Sequence, residues 1–477
     1  MFKTLVNVFK IPDLRNRILF TLAMLVVYRI GFWIPLPGVD QEQMAELFKA
    51  QSESGSAAAS VAQYVAIFSG GSFGQSTIFG LGIMPYISAS IMFQLLASVW
   101  PALKKLQEEG PTGRQRIQDL TRRVTILLCV IQAYAWLGVI NGQGLVYAQW
   151  AGNPVWWVMA VTALTAGSIF LMWIGEQIDK HGIGNGVSMI IMAGILTGIP
   201  NAILWIVNNS PVRTLTPVAW IMGEAPQSFD PQVSWMGVIF LAACFVFVVA
   251  GSVLLTVAQR RIPVQQAKHT RGRRVFGGQR SYLPLKVNHG GVMPVIFAST
   301  MMLLPSLLFG AIAEGAGGSS AQTWWATLLV FIKDQFQGSA FPYVLLYIVL
   351  VFLFSYFWIT VQFNPEDMSK QLKEHGSFIP GLRPGPRTAE YLTSVMERIT
   401  YIGAAALALL AVLPNVIQSS FSVDYAVTQF IGGTGLLIVV SVCLDFLQRV
   451  EAALLMRNYQ GFLGGEGDAP KLRGPRG

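Results

Sequence analysis

At 477 residues, 53% hydrophobic and only 12% charged, the chain carries a formal net charge of +9. A soluble globular protein holds roughly 25% charged residues, so this composition excludes one. Apolar runs of about 20 residues recur from end to end, each roughly 30 Å as a helix and able to cross the hydrocarbon of a bilayer.

In chain order the spans fall at 18–36, 76–98, 124–142, 155–177, 183–206, 235–257, 291–312, 342–363, 395–417 and 432–454. Runs this continuous mean helices rather than barrel strands, because every backbone group in lipid must be paired internally. The first span follows a basic segment and runs into "IPLPGVD" without a small-residue cleavage site. It reads as a retained helix rather than a cleaved signal. Between the first and second spans, Tyr64 to Gly74 starts apolar and is then broken by Gly70 and Gly71. It is too short to span, which suggests a re-entrant, plug-like segment; an ordinary outer loop is the alternative. On the second span Ile83 and Ile87 are i and i+4 on one face, and Ser88, Ser90 and Gln94 follow. These polar groups could bond a neighbouring helix or line a polar seam.

The loop 207–234 holds four prolines and divides the chain into five spans and five. An odd number per half inverts the second half relative to the first, the arrangement of a clamshell with a path at its interface. The predicted units are therefore 1–206, a hinge at 207–234, and 235–477. No residue-level repeat relates the halves. The N-terminus, alternate loops and C-terminal tail carry 28 of the 33 Lys and Arg, counting Arg449 with the tail, and the intervening loops carry 3. The positive-inside rule then puts both termini and the basic loops in the cytoplasm.

Two cytoplasmic loops stand out. Residues 259–290 hold eight Lys or Arg and no Asp or Glu, and 364–394 contain Arg383 between prolines and glycines in "PGLRPG". Basic charge of this kind attracts anionic lipid or, held off the bilayer, suits phosphate-rich RNA or an acidic protein surface. Composition alone does not choose.

Chemistry inside the membrane is sparse. Arg29 lies near the outer end of its span, Glu397 and Arg398 open the ninth, and Asp445 is the deepest carboxylate. One isolated carboxylate is weak support for an ion-coupled secondary transporter, which needs a mid-membrane relay. "GGSFG" at 70–74 matches G-x-S-x-G, but the strand is missing and the histidines His181, His269, His289 and His375 lie on the opposite side. "GIGNG" at 182–186 joins two spans and reads as turn glycines. No H-E-x-x-H or Walker lysine motif occurs. Cys129, Cys244 and Cys443 all fall in spans as small buried residues. Neither an enzyme, a cofactor nor a metal site is expected.

Several long segments together resemble the SecY family of protein-conducting channels: "RIGFWIPLPGVD", "FSGGSFGQSTIFGLGIMPYISAS", "MWIGEQIDKHGIGNGVSMII", "QRRIPVQQAKHTRGRRV", "LPLKVNHGGVMPVIFAS", "FNPEDMSKQLKEHGSFIPGLRPG" and "GGTGLLIVVSVCLDF". The resemblance implies an all-α membrane protein of ten helices in two inverted five-helix halves. It would be closed outside by a plug helix and open sideways to lipid. It implies a pore ring of Ile83, Ile87, Ile191, Ile296 and Ile438, with Val187 at the sixth position, and a plug containing Tyr64, Phe68, Ser69, Gly70, Gly71 and Ser72. A lateral gate would run between Ser88 and Gln94 on one side and Ser299 and Thr300 on the other. Arg383 would meet the SecA motor, and Arg260, Arg261, Arg273 and Arg274 the ribosome or SecA. The implied partners are SecE-like and SecG-like small membrane subunits, SecA, the ribosome, translocating polypeptides with their signal sequences, and anionic lipids. The implied location is the bacterial cytoplasmic membrane.

Overall fold

The computed structural model describes residues 11–44, 46, 76–142, 144–150, 152–211, 233–266, 269–271, 274–276, 280–299, 301–302, 335, 340–421, 427 and 434–463. Its named helices are α1 (Pro12–Gly31), α2 (Met84–Val99), α3 (Pro101–Glu108), α4 (Pro111–Gly142), α5 (Pro154–His181) and α6 (Gly186–Leu196), then α7 (Ile199–Asn209), α8 (Trp235–Val257), α9 (Phe341–Gln362), α10 (Pro365–Glu374), α11 (Pro386–Phe421) and α12 (Thr434–Leu463). A further helical segment occupies 293–299. Proline stands at the first position of α1, α3, α4, α5, α10 and α11. Its fixed φ suits a first turn, and the N–H it lacks would have gone unpaired there.

Among the described residues, five helices are long and apolar enough to cross a membrane: Pro111–Gly142, Pro154–His181, Trp235–Val257, Phe341–Glu374 and Pro386–Pro414. Their outward faces carry exposed aliphatic and aromatic side chains, among them Val246 and Leu254 on α8 and Leu345 and Leu353 on α9. That inversion of the soluble pattern is what lipid solvation allows.

Two spans differ in detail from their predicted form. The fifth is not one helix: α6 ends at Leu196 and α7 starts at Ile199. Pro200 has no N–H to donate to the Leu196 carbonyl, so the ladder cannot run on unbroken. The second span begins as turns over 78–83, and the helix starts only at Met84. Thr77 is instead bridged to Pro35, in the stretch that follows α1.

The core divides by depth and by half. At one end of the first half, Leu36, Val39 and Met44 pack with Leu137, Ile140, Trp156 and Leu164. The Trp156 indole N–H closes this cap by donating to the Pro37 carbonyl at 3.1 Å. The second half has its own cluster, with Val248, Val295, Tyr347, Val351 and Leu407. A central cluster draws on both halves.

The two large loops, 259–290 and 364–394, fold as one unit. Strand β1 (Gln259–Gln266) pairs antiparallel with β4 (Arg280–Lys286) and, through its last two residues, with β5 (Ser377–Phe378). A two-stranded hairpin of β2 (His269–Arg271) and β3 (Arg274–Phe276) stands beyond it. The register sets Pro263 opposite Tyr282 and Pro284 opposite Arg261, both in the same class of pair. In that class the N–H groups point away from the partner strand, so neither missing donor interrupts the ladder. Beneath the sheet, Ile262, Val264 and Leu285 share a core with Ile379, Leu392, Met396 and Ile399.

Candidate functional site: a central aliphatic ring and its polar vestibule

Four separate segments contribute to the centre of the molecule. Ile83 precedes α2 and Ile87 lies in its first turn, with the Ile87 N–H donating to the Ile83 carbonyl at 3.1 Å. Val187 and Ile191 stand one turn apart on α6, Ile296 on the 293–299 helix, and Ile438 on α12. The five isoleucines are buried in a single cluster, against which Val187 packs. The surrounding shell, including Tyr28, Phe79, Leu171 and Ile174, is equally apolar.

One side of this ring opens into a cavity of about 430 Å³. Ile87, Val187, Ile191, Ile296 and Ile438 line one end of it, whereas Ser90, Gln94, Asn185, Ser188, Asn288 and Gln448 give it polar walls. Its charged members are Asp179, Lys286, Asp445 and Arg449. Asp445 does not stand alone: its Oδ2 accepts from Arg449 Nε at 2.8 Å, one helical turn away. Asp179 is likewise occupied, its Oδ1 accepting the Gly186 N–H at 2.7 Å. At the rim, burial pushes His289 below the usual histidine range and the nearby Lys286 charge pushes the same way, against an opposing hydrogen bond to the Lys286 carbonyl. A polar cavity whose two carboxylates are matched by two cations can wet, and an aliphatic ring at its end is the kind of constriction that excludes ions by dewetting.

The "GIGNG" turn positions one third of the ring. Gly184 adopts φ +103°, the left-handed region open to glycine. A Cβ on Gly186 would lie 1.9 Å from the Gly175 carbonyl oxygen. The absence of a side chain therefore lets α6 lie directly on α5. Asn185 caps α6 by accepting the Ser188 N–H at 3.1 Å.

On the face formed by the two large loops, Arg260 and Arg261 project from β1 as exposed residues, and Arg383 is exposed at the turn between β5 and α11. Strand pairing of β1 with β5 and the shared core beneath join the two loops physically.

A profile of the SecY family matches residues 77–447. The protein translocase subunit SecY of Thermotoga maritima is 37% identical over 477 residues, covering 100% of both chains. That of Thermus thermophilus is 38% identical over 467 residues, covering 97% of this chain and 98% of its own. The chain belongs to the SecY family. Solved structures agree on the fold: a protein-conducting channel superposes with TM-score 0.56 at 18% identity, covering 94% of this chain and 93% of its own. A canine Sec61 solved in a ribosome-channel complex gives 0.56 at 16%, covering 94% of each chain. The fold is thus the ten-helix clamshell of SecY proteins, a multi-pass membrane protein that is helical but for the five short strands of its two large loops, which the all-α expectation left out.

Within this SecY chain the structure brings together all six residues expected at the ring. The expected lateral-gate positions are less uniform. Gln94 donates to Ser90 at 3.3 Å within its own helix, and Ser299 Oγ donates to the carbonyls of Val295 and Ile296 at 2.8 and 3.0 Å. Ser88 is half-buried. Thr300, Arg273 and the plug residues Tyr64, Phe68, Ser69, Gly70, Gly71 and Ser72 lie outside the described residues, and Arg274 is described only as backbone of β3.

Sequence reasoning passed over Glu176, inside the fourth span. It is buried, and its two oxygens accept from Arg122 Nε at 2.6 Å and Nη2 at 2.8 Å, while Arg122 Nη1 reaches Asp119 at 3.0 Å. This bidentate pair fastens α4 to α5. The detectable signal was an acid in an apolar run, which needs a partner to remain there.

Proposed function

We propose that this chain is the channel subunit of a protein translocase, conducting unfolded secretory polypeptides across the membrane and releasing membrane-protein segments sideways into the bilayer. The observation that carries the reading is the aliphatic ring, drawn from four segments of both halves, at the neck of a polar vestibule. The ring gives a moving chain of any sequence nothing to hold by hydrogen bonds, and it closes to ions by dewetting.

Energy for transport then comes from outside the membrane, from SecA bound at Arg383 and from SecA or a translating ribosome bound at Arg260, Arg261, Arg273 and Arg274. SecE-like and SecG-like small subunits complete the unit, signal sequences enter through the lateral gate beside Ser88, Gln94, Ser299 and Thr300, and anionic lipids surround the basic face. The membrane is the bacterial cytoplasmic one, with both termini on the cytoplasmic side. A plug at about 64–74 closes the outer side, and 207–234 is the hinge between halves 1–206 and 235–477.

The test is import of a signal-bearing unfolded precursor into vesicles holding the purified chain with its small subunits, SecA and ATP. The reading expects import and its abolition by a folded, cross-linked precursor. Solute uptake dependent on Asp445, with no protein import, would favour an ion-coupled transporter instead. The Arg449 partner of Asp445 already weighs against that alternative, because a relay carboxylate must be free to take up its ion.

A further inference from the structure

We infer that Ser369 and Thr388 are positioning residues for Arg383, holding the docking turn rigid from two different helices. The inference rests on reading Arg383 as the motor contact.

Among the described residues, several helical hydroxyls turn back on their own helix. Thr121, Thr125, Thr256, Ser355, Thr393 and Thr400 each donate to the carbonyl four residues before, which is the ordinary local partner. Ser369, in the middle of α10, forgoes that bond and donates instead to the Gly385 carbonyl at 2.8 Å, sixteen residues away. Thr388, in the first turn of α11, donates to the carbonyl of Arg383 itself at 2.8 Å. Both hydroxyl residues are buried, at 3% and 2% exposure, whereas Arg383, whose carbonyl Thr388 holds, is exposed.

The rest of the turn is fixed to match. Gly381 and Gly385 take φ of +87° and +132°, values side chains resist. The Gly385 carbonyl also receives the N–H groups of Thr388 at 3.0 Å and Ala389 at 3.2 Å. Leu382 donates to the Ile379 carbonyl at 3.0 Å, and both side chains pack on the core under β1. These anchors face inward, which leaves Arg383 as the charged side chain that the turn offers to solvent. A turn ordered before the partner arrives spares the ordering cost at binding.

The test measures precursor import by the full chain in vesicles against the concentration of purified SecA, for Ser369→Ala, Thr388→Val, Thr388→Ser, the Ser369→Ala/Thr388→Val double variant and Arg383→Glu. Ser369→Ala and Thr388→Val should each raise the half-saturating SecA concentration roughly three- to tenfold, with the maximal rate largely kept. Thr388→Ser, which retains the hydroxyl, should restore the unchanged value. Ribosome binding should not move. Unchanged half-saturation in the double variant, with Arg383→Glu inactive, would overturn the inference and leave the docking reading intact. Thr388→Ser as impaired as Thr388→Val would also overturn it, by pointing to the methyl group. So would loss of ribosome binding in step, which marks general unfolding. Normal import by Arg383→Glu would sink the docking reading itself.

Discussion

Six aliphatic side chains meet at the centre of the molecule through van der Waals contact alone, whereas the Arg383 guanidinium is carried on a turn fixed by hydrogen bonds, left-handed glycines and a small core. The first arrangement is non-directional. Its members can separate around a passing chain and close again without finding particular partners, since apolar contact depends on area rather than angle. The second is directional throughout, because a partner must meet one charge in one place. It follows that the ring tolerates variation in identity but not in polarity, and the turn tolerates neither.

The largest expected effect lies at the turn. Arg383→Glu should abolish SecA-driven import while the protein remains inserted, and Arg383→Lys should be intermediate because an ammonium cannot reproduce planar two-point contacts. Import at the normal rate by Arg383→Glu would erase the contrast. The ring comes next. Ile87→Asn or Ile191→Gly should raise resting ion conductance severalfold in planar bilayers, because a polar or missing side chain wets the neck. Deleting 65–72 should do the same. Equal conductance in all three variants would mean that the cluster is core and no seal.

These two regions also differ in how far they could be read beforehand. Ile83 and Ile87 announced a face by their i, i+4 spacing, but nothing local tied them to Ile296 or Ile438, which come from the other half of the chain. Only the family resemblance joined them. The tip was legible as a Pro/Gly-bounded arginine, yet its fastening was not: a bond from Ser369 to Gly385 has no signature in spacing, because it depends on how α10 and α11 dock. The start of the fourth span, expected at 155, was readable because Pro154 opens its helix, whereas α11 begins at Pro386, well before the expected 395. The split of the fifth span at Gly198 and Pro200 was lost inside an otherwise continuous apolar run. Glu176 was missed because hydropathy over a window averages one acid away.

A third effect tests whether the docking face is polyelectrolyte in character at its sheet and specific only at its tip. Neutralising Arg260, Arg261, Arg273 and Arg274 together should weaken ribosome binding in neutral detergent and flatten its dependence on salt. The log–log slope should fall by roughly 0.7 to 0.9 for each phosphate no longer neutralised. Arg383→Glu should change that slope by no more than about one phosphate's share. If lipid is what the basic loop meets, the quadruple variant will bind ribosomes as before at every salt and lose only its attraction to anionic vesicles.

The smallest effect concerns a pair that belongs to neither extreme. Arg122 and Glu176 are directional like the tip but sit between two helices of the first half, near the membrane. Arg122→Ala leaves a buried carboxylate without its partner, which costs about 3–5 kcal/mol in a fully buried pair. A third of the Arg122 side chain remains exposed, so water can replace part of the loss and about 2 kcal/mol is the better expectation. Glu176→Gln keeps an acceptor for Arg122 and removes the buried charge, and it should cost less. Thermal unfolding in detergent reads both. If the pair only fastens α4 to α5, the resting conductance of either variant will match the unchanged chain, in contrast to the ring variants. A leak from Arg122→Ala as large as that from Ile87→Asn would show that the seal is not held by apolar contact alone, and the separation between the two regions would fail at its root.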